Sequence, residues 1–311
     1  MPESCAMKKT SIGGQALIEG VMMRGPKKTA MAVRHVSGNI VTEEWENKGD
    51  TRPKILKWPF VRGIFNMIDS LRVGYKCLMR SAELAGLDDE TPKTEEEQKK
   101  ESALMNVLMV ISSVLGVALA MVLFMWLPVQ LVSWLSLVWK AAAGRLVKSL
   151  LEGVLRILIF LGYVVVISQM KDIRRVFMYH GAEHKSIFCY EKGLPLTVEN
   201  VREQSRFHPR CGTSFLVLML IVGVIVSILI PVQQPILRTA CKLLTLPLTI
   251  SIGYELIKLA GRKDNWFTRI TSKPGLWVQR ITTREPDDGM IECAITSLEA
   301  VIPENADDDR W

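Results

Sequence analysis

Histidine is scarce in this chain, with four in 311 residues, and the six cysteines include no CxxC pair. Cysteines scattered in this way argue against a disulfide framework and suit a reducing compartment. No internal repeat is present, which excludes a solenoid and the inverted halves of many transporters. After Lys8 and Lys9 the chain reads Thr10-Ser11-Ile12-Gly13-Gly14 with no apolar core, so no cleavable signal is expected and the first span directs insertion. The basic residues do not interleave with aromatics on one soluble face. A net charge of +7 and a pI near 9.1 therefore point to anionic lipid headgroups, with no nucleic-acid partner.

Long apolar runs are abundant. Ala103 to Leu127 carries no charge, and about 20 apolar residues cross a bilayer. Val154 to Met170 and Gly212 to Ile230 read as two further spans, the first containing Arg156. Ile236 to Ala260 is interrupted by Arg238, Lys242, Pro247, Glu255 and Lys258 and reads as a kinked fourth. Between the first two, Pro128 to Leu151 carries Lys140, Arg145 and Lys148 beside Trp126, Trp134 and Trp139. It reads as an interfacial amphipathic segment or a partial extra span. The remaining basic residues fall before the first span, in the loop 171–212 and after the fourth. The positive-inside rule then puts these segments, with both termini, on the cytoplasmic side of the cell membrane.

The organisation expected is an N-terminal cytoplasmic β element (1–52), an amphipathic helix (53–87), an acidic linker (88–102), a transmembrane domain (103–260) and a cytoplasmic tail (261–311). Gln15 to Val21, Thr29 to Val36 and Ile40 to Thr42 read as two or three strands. Asp88 to Glu101 holds seven acids and no large apolar residue, the composition of a solvated linker. In the tail, Gly261 to Arg284 reads as irregular, Asp287 or Asp288 as the cap of a short helix, and Asp307 to Asp309 as a frayed end. The fold class is mainly α: a polytopic membrane protein with about four transmembrane helices, a small N-terminal β element and amphipathic interfacial helices.

The chemistry concentrates between Tyr179 and Gly212, which holds three of the four histidines and two of the six cysteines. His180 and His184 are one helical turn apart on a helix expected to continue from the second span, so both imidazoles can reach one ion. Glu183 beside them can serve as general base toward water, and His-x-x-Glu-His is also the inverzincin peptidase order. Thr197 caps a short helix, Val198 to Phe207, which Pro209 stops. Since the flanking spans are antiparallel neighbours, His208 and Cys211 return toward His180 and His184. Three histidines, or two with Cys211, leave one position open, as catalytic zinc requires; donors without cysteine suit iron or manganese. The plainer alternative is a helix end whose histidines and glutamate merely cap it, with Cys189 and Cys211 as buried hydrophobes. Glu255, at membrane depth, reads as a further pocket residue or an ion pair with Lys258. Glu19 and Arg24 flank Gly20-Val21-Met22-Met23 and read as an anionic-substrate site or a structural salt bridge. His35 reads as a surface residue.

Four stretches, GGQALIEGVMMRGP (Gly13–Pro26), HGAEHK, FHPRCGTSF (Phe207–Phe215) and PGLWVQRITTREPDD (Pro274–Asp288), resemble the bacterial YqhQ family of uncharacterised membrane proteins. The resemblance runs from Gly13 to about Ala300. It implies an integral membrane protein and a metal-dependent enzyme, and it singles out Arg24, Arg284 and Glu285 as pocket or scaffold residues. The reading is a membrane metal-dependent hydrolase, with zinc on His180, His184, His208 and Cys211, Glu183 catalytic, and Arg24, Glu19 and Glu255 at the substrate. That substrate would be lipid-linked or membrane-associated, with membrane lipid around the protein. The competing reading is a non-catalytic scaffold or biogenesis factor whose loop is a structural metal clip.

Overall fold

The computed structural model describes residues 9–47, 52–86, 95–140, 144–262, 265–305 and 308–309. Strands β1 (Gly13–Leu17), β2 (Gly20–Arg24), β3 (Lys28–Arg34) and β4 (Ile40–Glu46) form an antiparallel sheet in sequence order. The first six helices are α1 (Arg62–Leu84), α2 (Glu95–Met121), α3 (Leu127–Val138), α4 (Arg145–Ile167), α5 (Lys171–Glu191) and α6 (Val198–Arg202). Then come α7 (Gly212–Leu229), α8 (Pro235–Leu244), α9 (Leu246–Arg262), α10 (Trp266–Thr282) and α11 (Asp288–Glu299). Two compact units result: one from Met1–Asp88, Val164–Leu218 and Ile250–Trp311, the other from Asp89–Tyr163 and Met219–Thr249.

In the first unit the period of two along a strand sends alternate side chains to opposite faces. Val21, Met23, Ala30 and Ala32 face α5 and α11, where they pack with Tyr179, Ala182, Ile291, Ala294 and Leu298. Leu17, Met22 and Met31 face the other way and meet Cys77 of α1. The central strands are thus covered on both sides. The apolar run Gln15 to Val21 folds back on itself, giving one strand more than expected. Glu19 takes the left-handed conformation at the turn, φ 53°, and its carboxylate is held by Arg175 at 2.5 Å. Gly20 follows because a Cβ there would lie 2.9 Å from the Val33 Cα.

Helix α11 is capped by Asp287, whose carboxylate accepts from the Met290 N–H at 2.9 Å. Asp287→Ala is expected to cost about 1 kcal/mol, read as a lowered thermal midpoint of the purified protein. The end of the chain is not frayed at Asp309, which is buried and accepts from Thr10 Oγ1 at 2.6 Å and Tyr190 Oη at 2.9 Å. Asp307 lies outside the described residues. The tail also forms α10 where irregular chain was expected, with Pro274 accommodated inside it. Gly275 there lets α10 approach Ser214 so closely that a Cβ would sit 2.6 Å from the serine Cα.

Among the described residues, three helical stretches are long and apolar enough to cross a membrane: Val110–Val138, Arg145–Ile167 and Gly212–Leu229. The pair Pro235–Leu244 and Leu246–Leu259, bent by 46°, makes a fourth if counted as one span. The kink expected there is present. Pro128 to Val138 does not form a separate interfacial segment; it continues the first stretch through a π-helical turn at Val122–Trp126. Such a turn, placed just before Pro128, absorbs the missing N–H and the bulk of the ring. Arg145 and Lys148 accordingly belong to the second stretch. The acidic run is helical from Glu95, since Glu, Gln and Lys are good helix formers and an apolar helix follows directly; residues 87–94 lie outside the described residues.

Candidate metal centre

Helix α5 was expected to prolong the second span, but the helix breaks at Ser168–Met170. Met170 is extended, φ −67° and ψ 134°, and the Ser168 hydroxyl donates to the Val165 carbonyl at 2.7 Å. The break frees α5 to lie against the sheet. A helix rich in His, Glu and Lys is consequently buried over Tyr179 to Ile187, apart from the half-buried His180. Gly181 is required where α5 passes the Arg284 carbonyl, since no Cβ fits there.

His180 and His184, one turn apart, bring their ring centroids to 4.4 Å. Cys211, just before α7, completes a group in which one donor atom from each residue lies within 4.8 Å of the others. His180 Nε2 is 3.1 Å from Cys211 Sγ. Backbone carbonyls orient both rings through Nδ1: Thr282 at 2.9 Å for His180 and Arg206 at 2.6 Å for His184. That leaves each Nε2 for other work, and His184 Nε2 is buried without any hydrogen-bond partner. Such outer hydrogen bonds are what fix the tautomer and aim of metal-ligating histidines. The donor set, two imidazole nitrogens and a thiolate with an orphaned nitrogen among them, fits a zinc-class ion.

Electrostatics agree with a deprotonated sulfur. Burial opposes charge on both groups, but the neighbouring imidazoles of His180 and His184 hold the Cys211 thiol well below its ordinary value, and the sulfur beside His180 pushes that imidazole up to about 9. Glu183 is also buried, and burial raises its carboxyl above the ordinary value against the pull of His184 and His180. It lies 3.9 Å from His180 Nε2 and accepts from the Gly14 N–H. Gly14 is pressed so near that a Cβ would fall 2.7 Å from Glu183 Cγ. The first strand thereby closes over the carboxylate.

His208 stands outside the trio. Its ring is 5.6 Å from that of His184 between centroids, and its Nε2 faces Glu191 Oε2 at 3.7 Å and Arg210 at 3.4 Å. Gln279 clamps its backbone, accepting from the His208 N–H at 2.8 Å and donating to its carbonyl at 2.7 Å. Burial lowers the His208 imidazole despite the carboxylate. Burial opposes charge on Glu191, yet His208 and Arg210, with the Thr10 N–H at 2.8 Å, hold its carboxyl below the ordinary carboxylate value. Its stabilisation is therefore complete above the ordinary carboxylate value and lost as pH falls through the lowered one. The gap in thermal midpoint between wild type and Glu191→Gln should shrink as pH is taken from about 7 to about 3.

The three residues expected at the substrate do not join this group. Glu19 pairs with Arg175, and its Oε2 also accepts from Tyr179 Oη at 3.3 Å. Arg24 pairs with Asp69 at 3.2 Å in an exposed setting. Glu255 pairs with Arg62 at 2.6 Å, with the anticipated Lys258 also within electrostatic reach. Glu285 is scaffold: it pairs with Lys185 at 2.7 Å and with Arg206, the residue whose carbonyl holds His184, at 3.1 Å. Gly14, Glu191 and Thr282 were not foreseen. Only Glu191 left a trace, seven residues after His184 on the same helical face.

These features define a mainly helical protein with three or four membrane-length apolar helices and a buried His-His-Cys group beside a carboxylate. The chain belongs to the family described as a protein of unknown function, DUF1385, which matches residues 58–304. It is 36% identical over 294 residues to the uncharacterised protein YqhQ of Bacillus subtilis (strain 168), covering 93% of this chain and 92% of that protein. No solved structure matches.

Proposed function

We propose that this protein is a membrane-embedded, zinc-dependent hydrolase that acts at the cytoplasmic membrane face on a lipid-linked or membrane-associated substrate. The observation that carries the reading is the buried, unpartnered His184 Nε2 facing a group that already holds His180 and Cys211. Three protein donors leave the open position typical of catalytic sites, whereas a structural clip closes with four. Bound there, zinc would supply Lewis acidity and lower the pKa of water. Glu183 would take the proton from the attacking water, and burial raises its carboxyl, the direction that strengthens a general base. Gly14 would keep that carboxylate in place through its N–H. The apolar helices support a substrate delivered from the bilayer, and the positive-inside pattern supports the cytoplasmic side.

A second reading rests on the 3.1 Å contact between His180 and Cys211: a thiolate–imidazolium pair can act as a nucleophile without metal. Elemental analysis of the purified wild-type protein separates the two. One zinc per chain, retained in Glu183→Gln, is expected for the hydrolase. A folded, metal-free wild type whose Cys211 alkylates readily with iodoacetamide would overturn it in favour of the dyad.

A further inference from the structure

The tail helix α10 presents a face for which water alone gives no reason. Trp266, Ile270, Lys273, Trp277 and Arg280 recur at intervals of four and three, the spacing that keeps side chains on one side of a helix. All are exposed, the two indoles by 74% and 68%. Lys273 and Arg280 have neither a hydrogen bond nor an ion pair among the described residues. Indoles and basic side chains interleaved along one face are the composition of a helix lying in the headgroup layer of a bilayer.

The opposite face of α10 is tied to the candidate metal centre. Gly275 presses on Ser214 in the first turn of α7, a helix of membrane length, so α10 crosses α7 at the level where such a helix would meet the membrane surface. Gln279 holds both backbone groups of His208, and the Thr282 carbonyl orients His180. Phe207, which faces α10, is the neighbour of Arg206, whose carbonyl orients His184. One helix therefore joins the exposed indoles to the scaffold of the His-His-Cys group.

Phe207, Leu276 and Trp277, with Lys273 and Arg280, line a cavity of about 250 Å³. Its walls are largely apolar, because lysine and arginine lay their methylene stems along such surface and keep their charged ends wet. An apolar hollow rimmed by two unanswered positive charges calls for a negatively charged amphiphile. Free phosphate has nothing to set against the rings, and a zwitterionic lipid brings its own cation to the same rim. We infer that the cavity binds an anionic phospholipid, with hydrocarbon against Phe207, Leu276 and Trp277 and the phosphate at Lys273 and Arg280. The inference names anionic phospholipids as the substrate class of the metal centre; that role rests on the hydrolase reading, whereas the binding site uses none of the metal group's residues.

The test uses the full-length protein in detergent micelles doped with phosphatidylglycerol or phosphatidylcholine carrying brominated acyl chains, with a chelator present throughout. Bromine quenches an indole on contact, and the Trp277 signal is the difference between wild type and Trp277→Phe. Phosphatidylglycerol is expected to quench it at a lipid fraction roughly 10- to 30-fold lower than phosphatidylcholine does, the factor two cations supply at an anionic headgroup. Lys273→Gln combined with Arg280→Gln should abolish that preference, while the charge-matched pair Arg72→Gln with Lys76→Gln, exposed on α1, should keep it. Equal quenching by the two lipids, or the same loss in both double variants, would overturn the site. Displacement of the phosphatidylglycerol by inorganic phosphate, but not by chloride of equal ionic strength, would overturn it in favour of a free ion. Should the Lys273 and Arg280 double variant fail to fold, native mass spectrometry of wild type decides: phosphatidylglycerol retained over phosphatidylcholine supports the site, and no preference ends it. Because the chelator strips any ion, lipid binding by a protein that never holds zinc would leave the site standing and remove only its link to hydrolysis.

Discussion

On the proposed reading wild type is expected to purify with one zinc per chain and His184→Ala with almost none, and His180→Ala and Cys211→Ser to lose more than about 100-fold in affinity. The magnitude follows from comparison: altering a residue that only orients a metal ligand typically costs about 10- to 100-fold, and these changes remove the ligand atom itself. Glu183→Gln should keep its zinc, because no donor of the trio is altered. His208→Ala should keep most of it as well, since the imidazole is turned toward Glu191. The two sets of variants therefore part along the line drawn by the geometry. Zinc titrations with a chromophoric chelator, alongside thermal unfolding to confirm folding, provide the measurement. Variants of His180 and His184 that hold metal as tightly as wild type would remove the centre.

The second large effect lies among the apolar helices. Glu152→Ala strips Arg238 and Lys242 of their counter-charge while both remain fully or almost fully buried. Breaking a buried pair from one side costs about 3–5 kcal/mol, because the surviving charge is left unanswered. Two cations are stranded here, so the upper end of that range is expected. Glu152→Met combined with Arg238→Met should recover much of the loss, as apolar replacements of similar volume often substitute for a buried pair at little cost. Reversible unfolding in mixed micelles would give the two values. A single variant within about 1 kcal/mol of wild type would mean that water reaches these side chains and screens them.

Some of this is legible in the sequence alone. The spacing of His180 and His184 placed them on one face of a helix, and the antiparallel reading of the flanking apolar runs brought Cys211 back to them. The same reasoning overreached at His208. Chain return fixes where a residue's backbone arrives, but its side chain is aimed by a partner, here Glu191, that no local pattern announces. The β1–β2 turn was missed for a related reason: Glu19 is held in a left-handed turn by Arg175, 156 residues away. Pro128 and Pro274 show the opposite balance. Proline is a breaker by local propensity, and a π-turn at one position and helix packing around Gly275 at the other overrode it. The charges at Arg238 and Lys242 looked like flaws in the fourth span because their common partner sits on another helix.

The first unit is assembled from three separated stretches of chain, and one of its ties, Ser297 Oγ to the Ala30 carbonyl at 3.0 Å, closes over 267 residues. During synthesis from the N-terminus, Val21, Met23, Ala30 and Ala32 emerge long before Ile291, Ala294 and Leu298 exist to cover them. At about 5–20 residues per second, the nascent sheet waits tens of seconds with one apolar face bare while the intervening hydrophobic segments are made. Newly made chains of this protein are therefore expected to need their bare apolar face shielded until α11 is made, and a truncation before Asp288 should aggregate rather than mature.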